Sequence, residues 1–375
     1  MIKFLSHLRN VVSYMRLPRH HRRLTFYSEG QNYWPHLEGL ILQVLATSNI
    51  HISYISSNKN DPGLELDLPN FQSFLIDEGF VRNWFFENIE TDVMVMTMPD
   101  INKYQVKCSK HKVHYVYVQH SLVSKHMVYR TGAFDFYDTI FCAGPHHVKE
   151  MRALEKLRGL KAKNLFEHGY ARLDAIRNEA SKRSKNQDLK NSTIHVLVAP
   201  SWGENSTIES GLGLRIVTEL LDRGYKVTLR PHPQTIIFFR DKVDAIINEH
   251  KNNIRFEYEL NVAGQASLHD SDVMVGDWSG AALDYALGLG KPVIFIDVPR
   301  KVNSNEYTKI DIEPLEVEIR SKLGIVVDIE KMDIDVESAL EMEFNEFDNY
   351  VFNLDNSSEA GARELIRICD QCGAS

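Results

Sequence analysis

The chain reads as an α/β protein of two doubly wound domains that face each other across a cleft. Three observations predict this. Apolar strand-like runs alternate with helix-like segments along most of the chain. A polar stretch, residues 175–193, divides that alternation into two sets. The length, 375 residues with 43% hydrophobic side chains, is enough for two cores. Strands that alternate with helices form parallel sheets covered on both faces.

Residues 1–23 carry Lys3, Arg9, Arg16, Arg19, Arg22 and Arg23 and no acid. Ile2, Leu5, Leu8, Val12 and Met15 recur beside them at helical spacing, and Pro18 should stop the helix. This is a basic amphipathic segment that could rest on an anionic membrane surface or pack on its own domain. The first domain, 24–178, should hold strands at 24–27, 51–55, 92–96, 113–118, 139–142 and 165–168, with helices at 35–47 and 145–157. A linker at 179–193 follows. The second domain, 194–328, should hold strands at 194–199, 226–229, 254–257, 272–275 and 292–296. Its helices should lie at 207–223, 238–250, 260–268 and 279–289. The acidic tail, 329–375, reads as helices that pack back on the first domain.

Composition narrows the function. The net charge of −8 argues against nucleic acid as a partner. No run of eighteen apolar residues occurs and no signal peptide is visible, so the cytoplasm, with the inner membrane face as an option, is the expected location. Cys369 and Cys372 form a C-x-x-C without the second pair a zinc ribbon needs. His20-His21 and His146-His147 are neighbours whose side chains need not converge, so no metal site is expected. No H-E-x-x-H, P-loop or G-x-S-x-G motif is present.

In doubly wound sheets ligands bind at the carboxyl ends of strands, so polar residues there are the candidates. Gly276-Asp277-Trp278-Ser279-Gly280 follows one strand and opens a helix. Ser279 suits an N-cap, and Gly280 would let a phosphate approach the free N–H groups. Arg230-Pro231-His232-Pro233 ends another strand. Arg230 offers a fork for phosphate oxygens, and His232 could carry charge near neutral pH and donate to a leaving phosphate. Gln119-His120-Ser121 ends a strand of the first domain, where His120 could act as a general base toward an acceptor hydroxyl. Ser28-Glu29-Gly30 offers a tight turn and an acid for acceptor hydroxyls, beside Tyr33 and Trp34. Ser201, in Ala199-Pro200-Ser201-Trp202-Gly203, could touch the base or ribose of a nucleotide.

These pieces, in this order, resemble the CDP-glycerol glycerophosphotransferase family, whose members build teichoic acids and related polymers. The resemblance rests on Tyr117-Val118-Gln119-His120, His168-Gly169-Tyr170-Ala171-Arg172-Leu173-Asp174, Val198-Ala199-Pro200-Ser201-Trp202, Arg230-Pro231-His232-Pro233, Ser271-Asp272-Val273 with Gly276-Asp277-Trp278-Ser279, and Lys291-Pro292-Val293-Ile294-Phe295. It implies a GT-B fold of two Rossmann-like domains, a CDP-glycerol or related CDP-alditol donor, a glycan or lipid-linked acceptor, release of CMP, and no cofactor or metal. By the same resemblance His120 takes the acceptor proton, Arg230 and His232 hold the diphosphate, and Asp277 and Ser279 sit in the family's Asp-Tyr-Ser-Ser stretch. Ser121 stands where the family often has glycine, Trp278 where it has tyrosine, and Gly280 where it has serine. A GT-B glycosyltransferase using a nucleotide sugar, an epimerase of that fold and a non-catalytic polymer-binding protein are the competing readings.

Overall fold

The computed structural model describes residues 2–77, 79–104, 106–184, 193–260, 265–343 and 348–373. Their strands form two all-parallel sheets. The first contains β1 (Leu24–Ser28), β2 (Ile52–Ser56), β3 (Phe71–Leu75), β4 (Val93–Met96), β5 (His114–Tyr117), β6 (Thr139–Cys142) and β7 (Asn164–Glu167), in the order β3-β2-β1-β4-β5-β6-β7. The second contains β8 (His195–Val198), β9 (Lys226–Leu229), β10 (Phe256–Tyr258), β11 (Val273–Gly276), β12 (Val293–Ile296) and β13 (Gly324–Val327), in the order β10-β9-β8-β11-β12-β13. The central strands β1, β2, β4, β8 and β11 are buried along their whole length. That is the reason β4 and β11 read as unbroken apolar runs and the others as runs broken only by serine, threonine or a terminal histidine.

Each sheet reverses its strand order once, with β1 between β2 and β4 and β8 between β9 and β11. A crevice opens at such a reversal, on the carboxyl side of the strands. The turns after β1, β4, β5, β8, β9 and β11 therefore gather where the two domains meet.

In the first domain, α1 (Ile2–Met15), α2 (Trp34–Thr47), α3 (Phe80–Asn88), α4 (Pro145–Arg158) and α5 (Ala171–Ser184) accompany the strands. In the second these are α6 (Leu212–Asp222), α7 (Pro233–Phe238), α8 (Arg240–His250), α9 (Ala266–Asp270), α10 (Gly280–Leu289), α11 (Leu315–Glu318), α12 (Arg320–Leu323) and α13 (Val336–Leu340). The two domains join through α5 and α10. A methyl group on Gly288 would lie 2.8 Å from Ile176 Cγ2, so the absent side chain is what allows this close approach.

The basic segment docks on its own domain. Val11 and Tyr14 of α1 enter the core, Tyr14 OH meets Thr25 Oγ1 at 2.9 Å, and Asn10 Nδ2 donates to Leu75 O at 2.8 Å. Arg23 pairs with Asp92 at 3.2 Å, whereas Arg9 and Arg16 stay exposed.

The tail divides. Met332, Ile334, Val336 and Ala339 belong to the core of the second sheet, so α13 stays with that domain. The segment 350–356 and α14 (Ser357–Gly373) return to the first domain: Phe352 N donates to Ala143 O at 2.8 Å, and Ala362, Leu365, Ile368 and Cys369 of α14 sit against Leu37, Leu40, Ile41 and Val44 of α2. The expectation that everything after residue 329 packs on the first domain is corrected to that extent. Most of the expected linker, 185–192, and part of the helix expected at 260–268 lie outside the described residues. The C-x-x-C pair is a helix detail: both thiols are free, and burial pushes Cys369 up to about 12.

Candidate active site

The first-domain half of the site is the loop after β5. Gln119 Nε2 donates to Phe141 O at 2.8 Å and fixes the start of the loop. His120 comes next. Its Nδ1 lies 2.8 Å from Thr97 O, just beyond β4. A carbonyl can only accept, so this contact assigns the ring proton to Nδ1 and leaves the Nε2 lone pair to accept. Tyr129 OH approaches Nε2 at 3.3 Å and Tyr117 OH approaches Nδ1 at 3.0 Å. Tyr33 packs edge-on to the imidazole at 5.9 Å between ring centroids. Burial, and after it the Lys125 ammonium, pushes His120 down to about 4. The imidazole is neutral at physiological pH, which is the form a general base needs.

The rest of this loop is held from outside. His146 Nε2 meets Leu122 O at 2.9 Å and His147 Nε2 meets Val123 O at 3.0 Å. The adjacent histidines of α4 thus serve two separate carbonyls. Glu316, on α11 of the other domain, accepts from Ser124 N at 3.0 and 3.2 Å. Burial leads the causes that push Glu316 up to about 8.

The second-domain half is built from the ends of β8, β9 and β11. Ser279 caps α10, accepting from Ala281 N at 3.2 Å. The following residue, Gly280, faces the first domain. A methyl group there would collide with Ser121 Oγ. The expectation of an open glycine for a phosphate to approach is therefore corrected: in this arrangement Ser121 closes over that position. The two departures from the family pattern are complementary, since the side chain present at 121 occupies the room left by its absence at 280.

Arg230 is buried beside Ser267, with Nη1 at 3.5 Å from its Oγ, and beside Glu259, whose carboxylate is 3.9 Å from Nε. Burial lowers it to about 10, so it remains a cation at neutral pH. His232 differs from its sequence reading. It caps α7, its Nδ1 accepting from Gln234 N at 3.1 Å. Burial, then the charge of Lys301, pushes it down to about 3. It is neutral rather than charged near pH 7, and the occupied Nδ1 leaves the proton on Nε2, still a donor. Trp202 stacks on it with centroids 6.0 Å apart, and Lys301 Nζ lies 4.1 Å from the centre of the Trp202 ring.

Asp277 and Ser201 are corrected as well. Asp277 accepts from Ser201 N at 2.6 Å, Thr207 N at 3.0 Å and Thr207 Oγ1 at 2.8 Å. A carboxylate has no proton to donate to a phosphate, and this one shapes the loop after β8. Ser201 is buried with its hydroxyl on Ser206 at 3.1 Å. On the acceptor side, Gly30 adopts φ +147°, which favours glycine, and a Cβ there would lie 2.7 Å from that of Asn58. Glu29 is half-buried near Tyr27 and Tyr33, where its charge adds to the burial that raises both phenols.

Several residues at this junction carried no separate signal in the sequence. Arg172 of α5 pairs with Asp284 of α10 at 2.9 Å, both buried, and ties the domains together. His36 stacks on Tyr170 at 5.7 Å and lies 6.3 Å from His120. Arg172 lies within one of the sequence motifs and Asp284 beside another, but only the fold brings the two near Arg230. Among the described residues no group of three or more histidine, cysteine or acidic side chains is placed to hold a metal ion.

Two parallel sheets facing a cleft, a neutral histidine on one side and arginine with a helix N-terminus on the other, define a GT-B-like nucleotide-dependent transferase. The sequence profile described as CDP-glycerol:poly(glycerophosphate) glycerophosphotransferase matches residues 93–306, more than half of the chain, and the chain belongs to that family. It is accordingly a transferase of the CDP-glycerol glycerophosphotransferase type. No curated protein matches the sequence. Solved structures similar in fold include the wall teichoic acid polymerase TagF, with TM-score 0.60, 15% identity, and 98% of this chain and 97% of that chain covered. The UDP-GlcNAc 2-epimerase of Methanocaldococcus jannaschii has TM-score 0.56, 16% identity and coverage of 93% and 99%. The S. aureus MnaA–UDP structure has TM-score 0.60, 11% identity and coverage of 94% and 97%. At these identities the likeness concerns the fold.

Proposed function

We propose that the chain transfers glycerol phosphate from CDP-glycerol to a hydroxyl of a surface glycan or teichoic-acid-like acceptor, free or lipid-linked, and releases CMP. The observation that carries this reading is the contact between Ser121 and Gly280. It brings the segment that carries His120 against the first turn of α10, which supports a base and a donor site on facing sides of one cleft. The acceptor oxygen attacks the phosphorus that bears glycerol. His120 Nε2 takes its proton, a new P–O bond forms, and the P–O bond to CMP breaks. Arg230 and the Nε2–H of His232 stabilise the charge that gathers on CMP, with the positive end of the α10 dipole behind them. Asp277 and Arg172 act at one remove, by shaping the β8 loop and joining the domains.

No cofactor or metal is required in this scheme, because fixed cations and N–H donors supply the charge stabilisation. Turnover is expected to persist in excess EDTA. The donor is tested by incubating the enzyme with CDP-glycerol, CDP-ribitol and several nucleotide sugars and assaying CMP, CDP and UDP. CMP from CDP-glycerol is the expected product. CDP or UDP from a nucleotide sugar, without CMP from CDP-glycerol, would replace the reading with glycosyl transfer.

The same reading places the enzyme at the cytoplasmic face of a membrane. No helix among the described residues is long and apolar enough to cross one. Support comes from exposed Leu8 and Val12 on α1, exposed Phe80 and Trp84 on the neighbouring α3, and exposed Arg9 and Arg16. Apolar side chains flanked by arginine suit an anionic lipid surface. Flotation with phosphatidylglycerol vesicles, but not with phosphatidylcholine vesicles, is the expected result.

A further inference from the structure

Lys125 is buried, 2% exposed, and no step above uses it. Its ammonium lies 4.8 Å from the ring centre of Tyr117, 4.5 Å from that of Tyr129 and 4.7 Å from that of Phe134. It also donates to Gln119 Oε1, on a side chain fixed by Phe141 O. A buried ammonium is costly unless compensated, and three ring faces with one carbonyl oxygen are the compensation here. Two of those rings end at the reacting histidine, Tyr117 OH at 3.0 Å from Nδ1 and Tyr129 OH at 3.3 Å from Nε2. Both rings also pack edge-on to the imidazole, with centroids 6.2 and 5.8 Å away.

We infer that Lys125 is a positioning residue for the transfer: its caged ammonium fixes Tyr117 and Tyr129 against the two ring nitrogens of His120 and holds the imidazole in its neutral, proton-accepting form. The inference rests on the reading of His120 as the base. A cation packed behind an imidazole disfavours a second positive charge there, and it is the second cause, after burial, of the low value at His120. The other groups that face Lys125 are Glu150 of α4, Glu316 of α11 and Cys142 of β6. Those that face His120 are Tyr33, His36, Tyr117 and Tyr129. Burial lowers Lys125 to about 7, still above the value of about 4 for His120, so the lysine is charged across the range in which His120 gains its proton.

The test is the pH dependence of kcat/KM for CMP release from CDP-glycerol in the wild type, Lys125→Met and Lys125→Arg. Activity falls on the acid side as His120 gains a proton. Removing the cation is expected to move that limb upward by about one pH unit, the scale of one nearby charge, while Lys125→Arg stays with the wild type. A Lys125→Met limb at the wild-type pH, or the same displacement in Lys125→Arg, overturns the inference. Near-normal turnover in His120→Ala would instead remove the reading of the base itself. Should Lys125→Met fail to fold, the native protein labelled with ¹⁵N-histidine decides. His120 is expected to show a second inflection near pH 7 as Lys125 titrates, and a single inflection contradicts the coupling.

Discussion

At the scale of single residues, the sequence placed the polar groups at strand ends and could not tell which way each one faces. His120 illustrates what was legible: a histidine closing an apolar run. Its tautomer depends on Thr97 O, which comes from a different strand. His232 illustrates what was not. Its place at a strand end suggested a group charged near neutral pH, yet it is a neutral helix cap. A substitution separates its two tasks. Asparagine caps helices well, so His232→Asn should melt within a few degrees of the wild type. It should still lose about a hundredfold in turnover, the scale of one lost hydrogen-bond donor to the developing charge, because the shorter amide does not reach where Nε2–H stands. The pair Ser121 and Gly280 makes a second case. Gly280→Ala is expected to lower kcat/KM at least about tenfold, and Ser121→Gly in the same chain should restore most of it, as interacting neighbours do. Independent effects that add in the double variant would contradict the contact.

At the scale of elements, the buried strands were legible and the edges were not. β3 (Phe-Gln-Ser-Phe-Leu) is an edge strand with only one fully buried side chain, so it lacks an apolar run. β13 is the opposite edge of the second sheet, and α7 is six residues long with Ile237 and Phe238 exposed. The helix expected from 207 begins at Leu212, because Thr207 and Glu209 serve the loop instead: Thr207 bonds Asp277, and Glu209 accepts from Thr235 Oγ1 at 2.6 Å. The same arrangement explains Asp277, which looked like a ligand residue and is a loop anchor. Asp277→Ala would leave Ser201 N and Thr207 N buried without their partner. A loss of about 1–3 kcal/mol is expected from urea denaturation, with a weakened affinity for nucleotide as the secondary effect.

At the scale of the whole molecule, two cores are joined by buried charge. Removing Asp284 leaves Arg172 buried and unpaired, so Asp284→Ala should cost about 3–5 kcal/mol, measured by urea denaturation. Buried histidines set the response to acid. Burial holds His120 and His146 at about 4 and His168 and His232 at about 3, all below the ordinary value of 6.5. Between those values and 6.5 the unfolded chain binds more protons than the folded one, so stability rises with pH. It is fully present above about 6.5 and is lost as pH falls toward 4 and below, which a series of melting temperatures would record. Two sheets and their cleft could be read from alternation alone, but which side chains meet across the cleft is a property of the assembled domains. The most direct test of the central claim, that a neutral His120 of one domain works on a donor held by the other, is a single-turnover assay of CMP release by His120→Ala alongside its affinity for CDP-glycerol. Near-wild-type binding with turnover reduced about a hundredfold or more is the expected result, and turnover close to that of the wild type would contradict it.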